Sequence, residues 1–147
     1  MSDLTAKLTE CNKDIALDPN NASAYAKRGD VYLNMGDLDS ALLDCNRSIA
    51  LDPNRVEAYF NRGLSYSRKG DYDKAIADYS EIIRLDPNCA EAYFNRGELY
   101  FIKRDNDRAI ADYSEAIRLD PNHVEAYNKR DHAYKMIGKN GNPSTLS

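Results

Sequence analysis

The segment Leu-Asp-Pro-Asn occurs four times, beginning at Leu17, Leu51, Leu85 and Leu119, always 34 residues apart. Recurrence at one fixed period marks stacked repeats, each a small unit that cannot bury its apolar face alone. Counting from just beyond the turn after each Asp-Pro-Asn gives three whole units, 22–55, 56–89 and 90–123. A half unit, 1–21, precedes them and another, 124–138, follows, so 1–138 reads as a single repeat domain and 139–147 as a disordered tail. A length of 147 residues fits one folding unit of ordinary size.

Within a unit the apolar spacing is helical in two blocks. Tyr72, Ala75, Ile76, Tyr79, Ile82 and Ile83 draw one stripe along a helix face. Before them Tyr59, Gly63 and Tyr66 share a face of a first helix that stops near Gly70, with Asp71 placed to cap the second. Asn54/Glu57, Asn88/Glu91 and Asn122/Glu125 have the spacing of a reciprocal capping box, which gives these glutamates a structural task. Asn20, followed at that spacing by Ser23, reads as a weaker cap.

The pattern resembles the tetratricopeptide repeat, a 34-residue helix-turn-helix with an early large aromatic, Gly then Tyr on its first helix, Ala and an aromatic on its second, and a closing Pro. Tyr59, Gly63, Tyr66, Gly70, Ala75, Tyr79 and Pro87 match it, as do Tyr25, Gly29, Tyr32, Gly36, Ala41 and Pro53, and Tyr93, Gly97, Tyr100, Ala109, Tyr113 and Pro121. The resemblance runs from about Leu4 to Gly138. It implies an all-α fold, a right-handed helical-hairpin solenoid (superhelix) of about eight helices. There are departures. Tyr stands for the usual Trp, Cys11 and Cys45 stand where later units have Tyr79 and Tyr113, Arg104 replaces a turn Gly, and Asp131 replaces a close-packing Gly. Equivalent residues on stacked helices lie about 8–10 Å apart, too far for a disulfide between Cys11 and Cys45, so both read as buried thiols.

A charged pattern also repeats. Arg28, Arg62, Arg96 and Arg130 share one place on the first helices, and Glu10, Asp44, Asp78 and Asp112 share one on the second. The expected pairs bridge neighbouring units: Arg28 with Glu10, Arg62 with Asp44, Arg96 with Asp78 and Arg130 with Asp112.

Composition removes several function classes. With 20 basic against 24 acidic residues the net charge is -4, so the chain has no field to gather a phosphate backbone, and nucleic acid is not an expected partner. No apolar stretch is long enough for a membrane span and the first residues lack a signal-peptide layout, so a cytoplasmic protein without membrane contact is expected. Three cysteines and two isolated histidines offer no metal set. Phosphate-loop, H-E-x-x-H and G-x-S-x-G motifs are missing, so the expectation is no enzyme, no catalytic residue, no metal and no cofactor.

The family resemblance implies a concave surface lined by the first helices, where an extended segment of a protein partner would lie. Helical geometry leaves the second, fifth, sixth, ninth, twelfth and thirteenth places of each unit free of the Tyr/Gly/Tyr stripe. All three Phe of the chain fall there, as Phe60, Phe94 and Phe101, with Asn61 and Asn95 repeating beside the first two. Asn carries donors and an acceptor and can hold a peptide unit of any sequence, which looks like the asparagine ladder of peptide-gripping tetratricopeptide domains. The candidate groove is therefore Lys27, Phe60, Asn61, Leu64, Phe94, Asn95, Phe101 and Lys129. Replacing Asn61 and Asn95 by Ala is expected to weaken a bound segment and leave thermal stability nearly unchanged. The competing reading packs Phe60 and Phe94 between first helices and leaves the Asn residues facing water.

Co-chaperone members of this family hold the acidic tails of heat-shock chaperones with Lys, Asn and Arg. The corresponding residues here are Ala26 and Asp30, Asn61, then Glu91 and Asn95, and only Asn61 matches. One unit on they are Phe60 and Leu64, Asn95, then Glu125 and Lys129. Acids in place of lysines repel a carboxylate, so acidic chaperone tails are not expected partners. Half units at both ends give two alternatives to peptide binding: a structural module whose terminal helices self-associate head-to-tail, or a recruitment fragment of a larger protein.

Overall fold

A computed structural model describes residues 2–139. Eight helices follow in order: α1 (Asp3–Leu17), α2 (Ala22–Met35), α3 (Leu38–Leu51), α4 (Val56–Lys69), α5 (Tyr72–Leu85), α6 (Ala90–Ile102), α7 (Asn106–Leu119) and α8 (Val124–Lys139). The first helices α2, α4, α6 and α8 begin 34 residues apart, as do the second helices α3, α5 and α7. The fold is an all-α array of helical hairpins. It divides into two compact units, residues 1–81 and 82–147, with α5 running across the boundary. α8 extends through Gly138 to Lys139, and the rest of the expected tail, 140–147, lies outside the described residues.

The framework glycines and aromatics meet as the repeat requires. A Cβ on Gly63 would stand 3.1 Å from the Tyr79 ring, and one on Gly97 would stand 3.1 Å from Tyr113. Tyr79 and Tyr113 are almost completely buried. Asp131, which occupies the same place on α8, is exposed. Gly36 and Gly70 end α2 and α4 with φ of 82° and 83°. Arg104 takes the same left-handed conformation at φ 63°, strained for a side chain with a Cβ, and α6 stops one residue earlier than its counterparts.

Capping differs from the sequence expectation. Each helix after an Asp-Pro-Asn turn starts one residue later than the box requires, so its N-cap is Asn21, Arg55 or Cys89. The Asp of the turn instead folds back: Asp18, Asp52, Asp86 and Asp120 accept from the backbone N–H of Asn20, Asn54, Asn88 and Asn122 at 3.0–3.2 Å. Asn54, Asn88 and Asn122 are thus turn residues, and Glu57, Glu91 and Glu125 are exposed. Asn21, not Asn20, caps α2 by accepting from the Ala24 N–H at 3.0 Å. Asp37 and Asp105 cap α3 and α7.

The ion pairs form one register away from the expected one. Arg28 pairs with Asp44 at 2.7 Å, Arg62 with Asp78 at 2.7 Å and Arg96 with Asp112 at 2.8 Å, each within its own hairpin. A 34-residue pattern is unchanged by a shift of one unit, so periodicity could not choose between the two. The link back to the preceding second helix is polar but uncharged. Arg28 donates to Asn12 at 3.1 Å, Arg62 to Asn46 at 2.9 Å and Arg130 to Ser114 at 3.2 Å. Framework tyrosines flank the guanidinium groups: Arg62 sits 5.6 Å from the Tyr59 centroid and 6.0 Å from Tyr66.

Candidate functional site

The first helices carry all the candidate groove residues, and the two units present them differently. In the first unit Lys27 is exposed and Leu64 half-buried, while Asn61 is buried, donating from Nδ2 to the Ala26 carbonyl of α2 at 3.2 Å. That bond ties α4 to α2, so loss of the Asn61 amide should lower stability as well as any affinity. Phe60 meets Tyr79 edge-on at 5.7 Å. The fifth and twelfth places are therefore not free of packing: Ala26 and Leu33 are buried in the first unit and Phe94 in the second. A first helix packs on its own hairpin partner and also on its neighbouring first helix, and a stripe drawn from one hairpin misses the second contact.

In the second unit Phe94 is 9% exposed, with its ring 5.8 Å from Tyr113 and 4.6 Å from His123. Asn95 is half-buried. Phe101 stacks at 5.1 Å on His132. Lys129 pairs with Glu98 at 3.4 Å, and Glu98 also accepts from the Tyr113 hydroxyl. Burial, then the Glu98 carboxylate, pushes the Tyr113 phenol well above its ordinary range.

Each unit has an open cavity beside its first helices. The cavity of the first unit, about 290 Å³, lies between α1 and α2 and mixes Glu10, Asp14 and Asp30 with Lys7 and Lys27. One in the second unit, about 410 Å³, is lined by Glu91, Phe94 and Asn95 of α6, Glu125 of α8, and Asp120 and His123 of the turn between α7 and α8. His123 Nδ1 accepts from the Ala126 N–H at the head of α8, which fixes the imidazole against Phe94. Nothing in the sequence marks Asp120, His123 and Glu125 as the lining of one cavity. The Asn122/Glu125 spacing gives the glutamate the look of a cap, and the other two belong to a turn whose only sequence signal is its repeat.

Among the described residues no group of three or more His, Cys, Asp or Glu is placed to hold a metal ion. No helix among them is long and apolar enough to cross a membrane. Cys11, Cys45 and Cys89 are free thiols, the first two buried, and burial pushes the Cys45 thiol up to about 12.

Three tetratricopeptide repeat family models match residues 10–42, 29–70 and 60–124. The chain belongs to the tetratricopeptide repeat proteins. No curated protein sequence matches it significantly. Among solved structures it is similar to MamA, 27% identical with a TM-score of 0.87, over 92% of this chain and 80% of that one. It is also similar to the first tetratricopeptide domain of Spaghetti (RPAP3) bound to the HSP90 peptide SRMEEVD, 25% identical with a TM-score of 0.78, over 82% of this chain and 96% of that one. The first such domain of human RPAP3 matches at 25% identity and a TM-score of 0.77, over 84% and 99% of the two chains.

Proposed function

We propose that this chain is a protein-interaction scaffold that holds an extended peptide segment of a partner against its first helices. The observation that carries the reading is the likeness to a domain of the same family that is bound to a peptide. Lys27, Leu64, Asn95 and Phe101 keep accessible surface and offer direct contacts. Phe60 and the buried Asn61 and Phe94 back them, and Lys129 contributes through its pair with Glu98. The partner differs in charge from SRMEEVD, because Asp30, Glu91, Glu98 and Glu125 disfavour a second set of carboxylates.

The test is to pan a random peptide library displayed on phage against the intact chain and to measure a selected peptide by fluorescence anisotropy. Lys27→Ala and Asn95→Ala should each weaken it by about fivefold or more with the melting temperature unchanged, and SRMEEVD should not compete. Failure to enrich any peptide, or affinities untouched by both variants, would overturn the proposal.

A further inference from the structure

Three of the four repeated arginines are locked to an acid 16 residues on, and in each lock the Nε nitrogen donates. Arg28 gives to Asp44 at 2.7 Å, Arg62 to Asp78 at 3.0 Å and Arg96 to Asp112 at 2.8 Å. The fourth, Arg130 of α8, makes the backward link to Ser114, yet its Nε is buried without a hydrogen-bond partner. A buried donor left unpaired carries its full desolvation penalty. Among the described residues no carboxylate pairs with Arg130, and residues 140–147 contain no Asp or Glu. Glu10 of α1 holds the place of Asp44, is exposed, and pairs with no basic side chain among the described residues. Beside it runs a groove. Where α2 fills the groove between α3 and α4, held by Arg28–Asp44 and by Asn61 donating to Ala26, the equivalent groove between α1 and α2 is an open cavity of about 290 Å³.

We propose that this groove takes α8 of a second copy of the chain, so that α8 and α1 of two molecules make a hairpin on the plan of those within one. The proposal is independent of the peptide-holding reading. Three departures from the repeat fit each other across the contact. Gly29 lies so close to Cys45 and the Ala41 carbonyl that a Cβ would stand 3.0 Å and 3.4 Å from them. On α8 that glycine is Asp131, while on α1 Ala41 becomes Lys7, Asp44 becomes Glu10 and the cysteine stays as Cys11. The Asp131 side chain holds the two helices further apart than glycine does, and the longer Glu10 spans the wider gap to Arg130. Lys7, whose partner within the chain is the exposed Asp3 at 3.3 Å, then faces the exposed Asp131. Opposite charges so placed fix the register. The ends match as well. Leu17, the last residue of α1, is 86% exposed, whereas Leu51, Leu85 and Leu119 at the same place are half-buried. Val124, the first residue of α8, is 69% exposed. In the α2–α3 hairpin the start of the first helix meets the end of the second, where Ser48 donates to the Ala22 carbonyl at 2.7 Å, so the same plan covers Leu17 with Val124. The two surfaces differ, so each copy has both a groove to offer and a helix to donate.

The experiment is sedimentation velocity of the intact chain from about 10 μM to 1 mM, across which the average mass should rise above that of the monomer. Glu10→Arg and Arg130→Glu should each weaken association about tenfold or more. An equimolar mixture of these two variants should regain it, because each offers the charge that the other lacks. Lys7→Glu and Asp131→Lys, both at exposed residues, give a second pair with the same expected pattern should Arg130→Glu lower the melting temperature. A chain that stays monomeric throughout, association that survives the swaps, or losses that mixing does not restore would overturn the proposal.

Discussion

The α2–α3 hairpin of the first unit and the α6–α7 hairpin of the second follow one backbone plan with different contents. At the close approach of the two helices, Gly29 faces Cys45 in the first, with a Cβ site 3.0 Å from Sγ, and Gly97 faces the Tyr113 ring in the second at 3.1 Å. A thiol and a phenol thus fill the same place, both fully buried. At the turn, Gly36 adopts φ 82° without penalty and Arg104 adopts φ 63° with one. The Arg–Asp lock is unchanged, at 2.7 Å in Arg28–Asp44 and 2.8 Å in Arg96–Asp112. The lock and the glycine approach define the hairpin, while the filler, the turn residue and the cavity charge are free to vary.

The widest gap between the hairpins is in what the filler contributes. Tyr113→Ala should cost about 3–5 kcal/mol by analogy with other large aromatic truncations, and Cys45→Ala about 1 kcal/mol, as read by urea denaturation. Similar costs at the two sites would mean that the ring is not packed as described. The lock should instead respond alike in both places. Asp44→Ala and Asp112→Ala each leave a part-buried guanidinium without its carboxylate, for a loss of about 2–3 kcal/mol, and a difference above about 1 kcal/mol would break the equivalence.

Alkaline pH separates the hairpins again. Because burial pushes Cys45 up to about 12 from an ordinary 9.0, the folded chain keeps a proton that the unfolded chain has lost. Stability is full below pH 9 and falls by about 1.4 kcal/mol per unit as pH rises from there towards 12. Cys45→Ala should reduce the fall in stability between pH 9 and 10, before the Tyr113 phenol adds its own loss. Burial also raises the Cys11 thiol, so a smaller slope should remain after the substitution, and a slope no smaller than that of the unsubstituted chain would contradict the assignment. The smallest effect is at the turn: Arg104→Gly should stabilise by about 1 kcal/mol, and Gly36→Ala should destabilise by a similar amount. A melting temperature that falls for Arg104→Gly would show that the arginine side chain compensates its own strain.

The hairpin plan was legible because it repeats. Gly63 over Tyr79, the turn at Gly70 and the buried Cys11 and Cys45 all follow from matching one unit against the next. Periodicity is silent wherever two partners differ by one whole unit, so it fits Arg62 with Asp44 as well as the observed Arg62 with Asp78. The capping-box spacing misleads for a local reason: the Asp of Asp-Pro-Asn closes a turn on its own Asn, and the helix starts one residue later. At the candidate site the eight residues share places on the first helices that the repeat makes legible, but place does not report burial. Asn61 is tied to the neighbouring first helix, Phe94 is packed against Tyr113 and His123, and the acidic cavity combines residues from two helices and a turn.

A scaffold of the proposed kind receives its partner on the first-helix face. Amide shift mapping of the intact chain with a phage-selected peptide tests it most directly. Perturbations are expected along α2, α4, α6 and α8, including Lys27, Leu64 and Asn95, with α3 and α7 undisturbed. Perturbations confined to the second helices would contradict it.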